Sequence, residues 1–162
     1  MDVPAIIDLE ASGFGRGSYP IEVGVALADG SVFSELIRPP EHWVHWSEDA
    51  EAIHGITRPQ LMEHGKTPRE VAMQLNDLLK GQVLFSDAWS FDSSWIGRLF
   101  DEAGLVQRFK IDTLNRLLTE EEMTRWSDTK DAIIAELGLP LHRAANDVEI
   151  LKATFKRVKG LA

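Results

Sequence analysis

The run Ala5-Ile6-Ile7-Asp8-Leu9-Glu10-Ala11-Ser12-Gly13 constrains this chain more than any other stretch. It opens as a continuous apolar segment, the mark of a strand covered on both faces. Asp8 and Glu10 then interrupt it. Side chains two apart on a strand share a face, so both carboxylates project to one side while Ile7 and Leu9 anchor the other. Two like charges on a core strand are unstable unless something offsets them. No Lys or Arg neighbours them in sequence, and a divalent cation is the usual remedy. The competing reading is a strand end where both acids reach water.

Such a strand needs covering layers, and 162 residues suffice for one domain, taken as 1–162, with its own core. Five tryptophans and a 44% apolar composition indicate a globular chain rather than a disordered one. The absence of cysteine removes thiol nucleophiles, disulfides and thiolate metal sites together. Met1-Asp2-Val3-Pro4 carries no basic leader, and no apolar run approaches membrane-spanning length. A soluble, cytoplasmic protein without a membrane partner is the expectation. A formal net charge of −9 argues against sequence-blind binding to long duplex DNA. It leaves room for a small polyanionic substrate held through metal ions.

Gly13 to Ser18 is a glycine-rich loop with no helix pattern behind it, so a dinucleotide-binding turn is excluded. Pro20 to Ala28 alternates as a strand. Asp29-Gly30 predicts a two-residue hairpin turn, and Ser31 to Arg38 returns as a third strand. Ser47 to Gly55 and Thr57 onward predict two short capped helices. Thr67-Pro68-Arg69-Glu70 opens a longer one with an apolar face of Val71, Leu75, Leu78 and Leu79. Gln82 to Phe85 reads as a short strand, followed by a helix opening at Ser90, with Asp92 in its first turn. Phe109 to Ile111 is a weak strand. Helices follow around Thr113 to Leu118, over Glu120 to Leu137, and after His142. A meander feeding right-handed crossovers gives an α/β fold: a mixed five-stranded sheet with helices on its faces and the first strand central.

Asp147 lies on the apolar stripe of the last helix, between Ala144 and Leu151, where a lone carboxylate is costly unless paired. For Asp92 the helix dipole alone is a sufficient reason. Yet Asp8, Glu10, Asp92 and Asp147 all fall at element ends that this fold can gather. Four convergent oxygen donors suit a pair of Mg²⁺ or Mn²⁺ ions.

These residues carry a family resemblance. The chain resembles the DEDDh 3′→5′ exonucleases, which include polymerase proofreading subunits, ribonuclease T and oligoribonuclease. Asp8-Leu9-Glu10-Ala11-Ser12-Gly13 is similar to the first motif, Phe91-Asp92-Ser93-Ser94-Trp95-Ile96 to the second, and His142 to Asp147 to the third. Ile53-His54-Gly55-Ile56-Thr57 and Asp112-Thr113-Leu114 resemble further recurrent stretches. The likeness runs from Ile6 to about Phe155 and implies a ribonuclease-H-like fold. It departs at Ser86-Asp87, where the family often has His-Asn, and in the compact Gly13–Tyr19 loop.

The resemblance implies two-metal hydrolysis of phosphodiesters at the 3′ ends of single-stranded nucleic acid or short oligonucleotides, releasing nucleotide monophosphates. Asp8, Glu10, Asp92 and Asp147 would hold the ions, and His142 would act as general base. Ser12, Gly13, Phe14, His54 and Ile56 would contact the terminal nucleotide, with Phe14 stacking or wedging against a base. The alternative is an exonuclease-like adaptor that works by docking. A polymerase or another nucleic-acid enzyme would be its partner; pairing with a second copy of the chain is a separate expectation. DNA and RNA are not distinguished at this level, because 2′-hydroxyl contacts depend on pocket shape.

Other conspicuous residues have plainer readings. His42, Trp43, His45 and Trp46 read as a surface-packing segment, Asp87 and Asp112 as turn or cap residues, and Trp95 and Trp126 as core. Lys152, Lys156, Arg157 and Lys159 complement the dipole of the last helix.

Overall fold

In the computed structural model, which describes residues 2–161, β1 (Ile6–Ala11), β2 (Pro20–Ala26) and β3 (Val32–Leu36) form the antiparallel meander. β4 (Val83–Ser86) pairs in parallel with β1, and β5 (Lys110–Thr113) in parallel with β4, giving the order β3-β2-β1-β4-β5. The acidic strand is therefore central, as its apolar run requires. The helices are α1 (Glu48–His54), α2 (Arg58–His64), α3 (Pro68–Leu79), α4 (Trp89–Ala103), α5 (Glu120–Leu137) and α6 (Ala144–Lys159). This is the expected mixed α/β architecture, a five-stranded sheet with helices on its faces.

Capping boxes at Thr57, Thr67 and Thr119 set the starts of α2, α3 and α5, each satisfying two backbone donors reciprocally. Four local readings shift. Leu27 N–H donates to the Ser31 carbonyl, so the hairpin loop holds three residues, Ala28, Asp29 and Gly30, with Gly30 at φ 95° and Asp29 accepting from the Ser31 N–H and hydroxyl. α4 begins at Trp89 rather than Ser90, and no side chain caps it. The third strand is shorter than expected, and the segment after β5 is a 3₁₀ turn, Leu114–Leu117.

The strands sort their side chains by face. Ile7, Leu9, Val23 and Val25 pack with Leu75 and Leu79 of α3 and Ile96 and Leu99 of α4. Ile6 and Ala26 face the other way, against Val148 and Leu151 of α6. Asp8 and Glu10 share the α6 face with Ile6, since alternate residues on a strand point the same way. Gly24, opposite Asp8 in the β1–β2 register, is what lets α6 come so close: a Cβ there would lie 2.6 Å from the Ala144 carbonyl. Because β1 and β4 are parallel, their carboxyl ends emerge at one edge. The connections leave that point in opposite directions along the sheet, the arrangement that opens a crevice.

Candidate active site

All four predicted carboxylates reach that crevice. Asp8 and Glu10 stand on β1, Asp92 in the first turn of α4, and Asp147 in the first turn of α6. A single oxygen from each of Asp8, Asp87 and Asp92 lies within 4.8 Å of the other two. An oxygen each of Glu10 and Asp147 and a ring nitrogen of His142 meet the same limit. The trios are adjacent, because Asp8 and Glu10 are neighbours on one face of β1. Asp87, read from sequence as a turn residue, thus brings a fifth carboxylate to the site.

The electrostatics mark these groups as strained by one another. Burial, then the charges of Asp92, Asp147, Glu10 and Asp87, push the Asp8 carboxyl well above its ordinary range. Burial lifts Glu10 to about 9, and Asp147 adds to the shift as hydrogen-bond partner and as like charge. Asp92 rises to about 7 through burial; hydrogen bonds from the Ser86 hydroxyl and the Leu9 N–H pull the other way, while Asp87 adds to the rise. Asp8 Oδ2 is buried and has no hydrogen-bond partner. An orphaned carboxylate oxygen among all-oxygen neighbours fits a hard divalent cation. Ser86, standing where the resembled family often has His, donates its hydroxyl hydrogen to Asp92 Oδ2 and accepts from the Ala88 N–H. It therefore ties Asp92 to the end of β4.

The approach to α6 is fixed from β2. Arg143 Nε and Nη2 donate to the Glu22 carboxylate, the latter at 2.7 Å, and the Ala144 N–H donates to Glu22 Oε1 at 2.8 Å. Immediately before Arg143, His142 takes φ 61°, the left-handed region, and its N–H donates to Asp147 Oδ1 at 3.1 Å. Backbone conformations of this kind cost about 1–3 kcal/mol in side-chain-bearing residues and persist only where surrounding contacts impose them.

Two clefts flank the carboxylates. The first is bordered by Asp8, Glu10, Asp92 and His142 together with Gly13, Phe14, Ile53, His54, Phe91 and Trp95. Its wall is aromatic. The Phe14 ring lies 5.1 Å from Phe91 and 5.9 Å from Trp95, yet Phe14 is 69% and Phe91 47% exposed, so the faces are open to a ligand. The glycine-rich loop is tied to α4 by hydrogen bonds from Trp95 Nε1 and Arg98 to Ser18. Of the residues expected from sequence to contact a nucleotide, Gly13, Phe14 and His54 line this cleft. Ser12 and Ile56 do not: Ser12 is fully buried and bonded to the Tyr19 N–H and His45 Nδ1, and Ile56 belongs to the core. The second cleft is bordered by Asp8, Glu10, Asp87, His142 and Asp147 with Lys130, Ile134 and Leu141.

His54 is held by the Ile56 N–H donating to its Nδ1. Its Nε2 is buried with no hydrogen-bond partner of good geometry, and burial pulls its pKa down even though the Ala11 carbonyl acts against that.

Sequence reasoning passed over Ile53 as a cleft residue, Phe91 as part of the aromatic wall, Lys130, and the Glu22–Arg143 pair. Lys130 left a legible signal. It sits on the inward stripe of α5 with Trp126 and Ile133, where an apolar residue is expected.

No protein-family model and no curated protein matches the sequence. Solved structures do. E. coli exonuclease I in complex with a dA16 oligonucleotide superposes with a TM-score of 0.72 at 14% identity, over 97% of this chain and 40% of that one. The zinc-bound E. coli exonuclease I–ssDNA complex gives 0.74 at 14% identity, over 96% and 40%. Exonuclease I from Methylocaldum szegediense gives 0.70 at 16%, over 94% and 40%. The chain thus shares the fold and spans about 40% of the length of these structures.

Proposed function

We propose that this chain is a 3′→5′ exonuclease of the DEDDh type, hydrolysing the terminal phosphodiester of single-stranded DNA or RNA and releasing a nucleotide monophosphate. The observation that carries the reading is the convergence of Asp8, Glu10, Asp92, Asp147 and His142 beside an open aromatic cleft. The exonuclease I fold, solved with single-stranded oligonucleotides, supports it. The 3′ polarity and the pair of ions follow from the motif resemblance.

Asp8, Glu10, Asp92 and Asp147 would hold two Mg²⁺ or Mn²⁺ ions, with Asp87 adding a carboxylate beside Asp8 and Asp92. When bound, such ions make a nucleophile available near neutral pH and stabilise the attacking and leaving oxygens of an in-line displacement. The chain's own residues do the rest. The ring nitrogen of His142 that faces Glu10 and Asp147 takes the proton of the attacking water. Glu22 and Arg143 hold that histidine and Asp147 against the sheet. Phe14 and Phe91, backed by the buried Trp95, stack on the terminal base, an interaction tolerant of base identity. Ile53, Gly13 and His54 close the same pocket, while Ser12 and Ile56 serve by holding its frame.

Incubation with end-labelled single strands of DNA and RNA in Mg²⁺ or Mn²⁺ tests the reading. Stepwise release of mononucleotides from 3′ ends, stopped by chelator, is expected. Absence of release from both polymers in both metals, or release that persists in chelator, would overturn it.

A further inference from the structure

α5 presents Trp126, Lys130, Ile133 and Ile134 along one inward stripe. Trp126 packs against Val148, Leu151 and Phe155 of α6, and Ile133 is buried. A lysine among them meets no need of the helix itself. Its Nζ lies 3.5 Å from Asp87 Oδ2, within ion-pair reach but without a hydrogen bond, and its side chain is 35% exposed. It borders the second cleft together with Asp8, Glu10, His142 and Asp147. Among the described residues, no other Lys or Arg borders either cleft.

We propose that Lys130 is a phosphate-binding residue, gripping a phosphodiester of the single strand that crosses the carboxylate centre, with Asp87 as its resting partner. The assignment rests on the exonuclease reading. The aromatic cleft suits a nucleoside, and the second cleft carries the cation, so the sugar–phosphate chain belongs on the Lys130 side. Asp8, Glu10 and His142 border both clefts; a strand spanning them passes over the reacting centre. A lysine binds phosphate as a mobile point charge on a flexible stem. A partly exposed pair at this distance is weak and readily surrendered. Asp87 also has a competing use, since its oxygen stands with those of Asp8 and Asp92. Recruitment of Asp87 to a cation would leave the Lys130 ammonium facing the cleft, so metal and strand should bind with positive coupling.

The test uses the full chain carrying His142→Ala, to block hydrolysis, with Mn²⁺ and a fluorescent five-nucleotide single strand across a salt series. Adding Lys130→Met should weaken binding about tenfold, the scale of one charge-assisted hydrogen bond. It should also flatten the slope of log affinity against log salt by about 0.7, one single-strand phosphate contact. Lys130→Arg should restore most of both, and Lys130→Gln should repeat the loss. Calorimetry should find Mn²⁺ binding no weaker in Lys130→Met, so that strand loss is not metal loss. Unchanged strand affinity and slope, with Mn²⁺ binding tightened, would make Lys130 only a counter-ion to Asp87 and overturn the proposal. If the parent chain binds no strand in any metal, the exonuclease reading falls and takes this one with it. Binding by the parent with no change in the variants removes Lys130 alone.

Discussion

Glu22 on β2 and Arg143 before α6, 121 residues apart, form a clamp in which one carboxylate accepts from the guanidinium and from the Ala144 N–H. Glu22 is 4% exposed and lies directly across from Glu10 in the β1–β2 register. Two glutamates side by side thus have opposite roles. Glu22 has committed its oxygens to α6, whereas Glu10 keeps its carboxyl toward the crevice. The clamp grips the residue between His142 and the helix, so it sets both His142 and Asp147 against β1.

Breaking that clamp should cost stability and turnover together. Glu22→Ala leaves the buried Ala144 N–H without its acceptor, a loss of about 1–3 kcal/mol, and frees a partly exposed guanidinium that water resolvates at little further cost. Glu22→Gln keeps one acceptor and should lose less. Denaturant midpoints and single-turnover rates on the same variants check this. Turnover falling in Glu22→Gln with stability and KM unchanged would identify orientation of His142 and Asp147 as the clamp's contribution. Equal turnover in all three proteins would show that α6 needs no such anchor.

At His142 the backbone and the side chain can be separated. Its φ of 61° favours glycine, whereas its imidazole faces the carboxylates. Both His142→Ala and His142→Gly should lose at least about 10²-fold in turnover, the scale of a missing general base. His142→Gly should nonetheless be more stable than His142→Ala by about 1 kcal/mol, because alanine retains the Cβ that the left-handed region disfavours. Chemical denaturation of the pair reads this directly. An alanine variant as stable as the glycine one would mean that the loop relaxes once the imidazole is gone.

The acidic part of the site was legible because it violates local rules. Asp8 and Glu10 interrupt a buried strand, and Asp147 interrupts a helical stripe. Asp92 was legible only as a helix-start residue; its burial depends on β1 and β4 closing over it. Lys130 broke the α5 stripe as plainly as Asp147 breaks that of α6, and periodicity applied evenly would have found it. The Glu22–Arg143 clamp has no local signature, because β2 and α6 meet only through the fold. The hairpin misread is one of register: Asp29-Gly30 marks the turn, while the pairing of Leu27 with Ser31 decides that Ala28 joins it. At α4, the sequence places the helix start at Ser90, but the serine that organises this corner is Ser86, bonded to Asp92 and the Ala88 N–H.

Without divalent cations, the site should make the fold less stable as pH rises. Asp8, Glu10 and Asp92 have folded-state pKa values above their ordinary ones, Glu10 at about 9 and Asp92 at about 7. The folded chain then binds more protons than the unfolded chain, and stability has a negative slope in pH. The stabilisation is complete below the ordinary values of 3.8 and 4.5 and is lost as pH climbs through about 7 and about 9. His54, pulled below its ordinary 6.5, contributes the opposite slope, which fades over about one unit above that value. Denaturation of chelated protein from pH 6.5 to 9 therefore reads the carboxylates, most cleanly at the upper end of the range. Saturating Mn²⁺ should flatten or reverse the trend, and titration in buffers of different ionisation enthalpy should show protons released on binding. Stability of the chelated protein rising through this window would contradict the assignment of the strain to these three groups.

Substrate length should matter little beyond the terminal nucleotides. With a formal net charge of −9, the chain has few cations to spend on distant phosphates, and the basic end of α6 does not supply them. Arg157 pairs with Glu136 at 2.6 Å, and Lys159 with Glu122 at 2.6 Å, the latter pair being largely enclosed. α6 also points its amino end at the crevice, so these cations sit at its far end, about 20 Å along a sixteen-residue helix at 1.5 Å per residue. Affinity should then come from the metal-held phosphate, the aromatic wall and Lys130. Each phosphate contact adds about 0.7 to the single-strand salt slope, so a slope of about one or less is expected, with a twenty-nucleotide strand binding scarcely better than a five-nucleotide one. A blunt duplex should bind poorly, since its end must fray before a base can reach Phe14 and Phe91. The measurement is binding of two-, five- and twenty-nucleotide strands to His142→Ala across a salt series in Mn²⁺. A steep slope together with a large gain for the longest strand would mean that α6 or the Arg16 loop forms a phosphate track despite the overall charge, and that the paired lysines and arginines exchange their carboxylates for the strand.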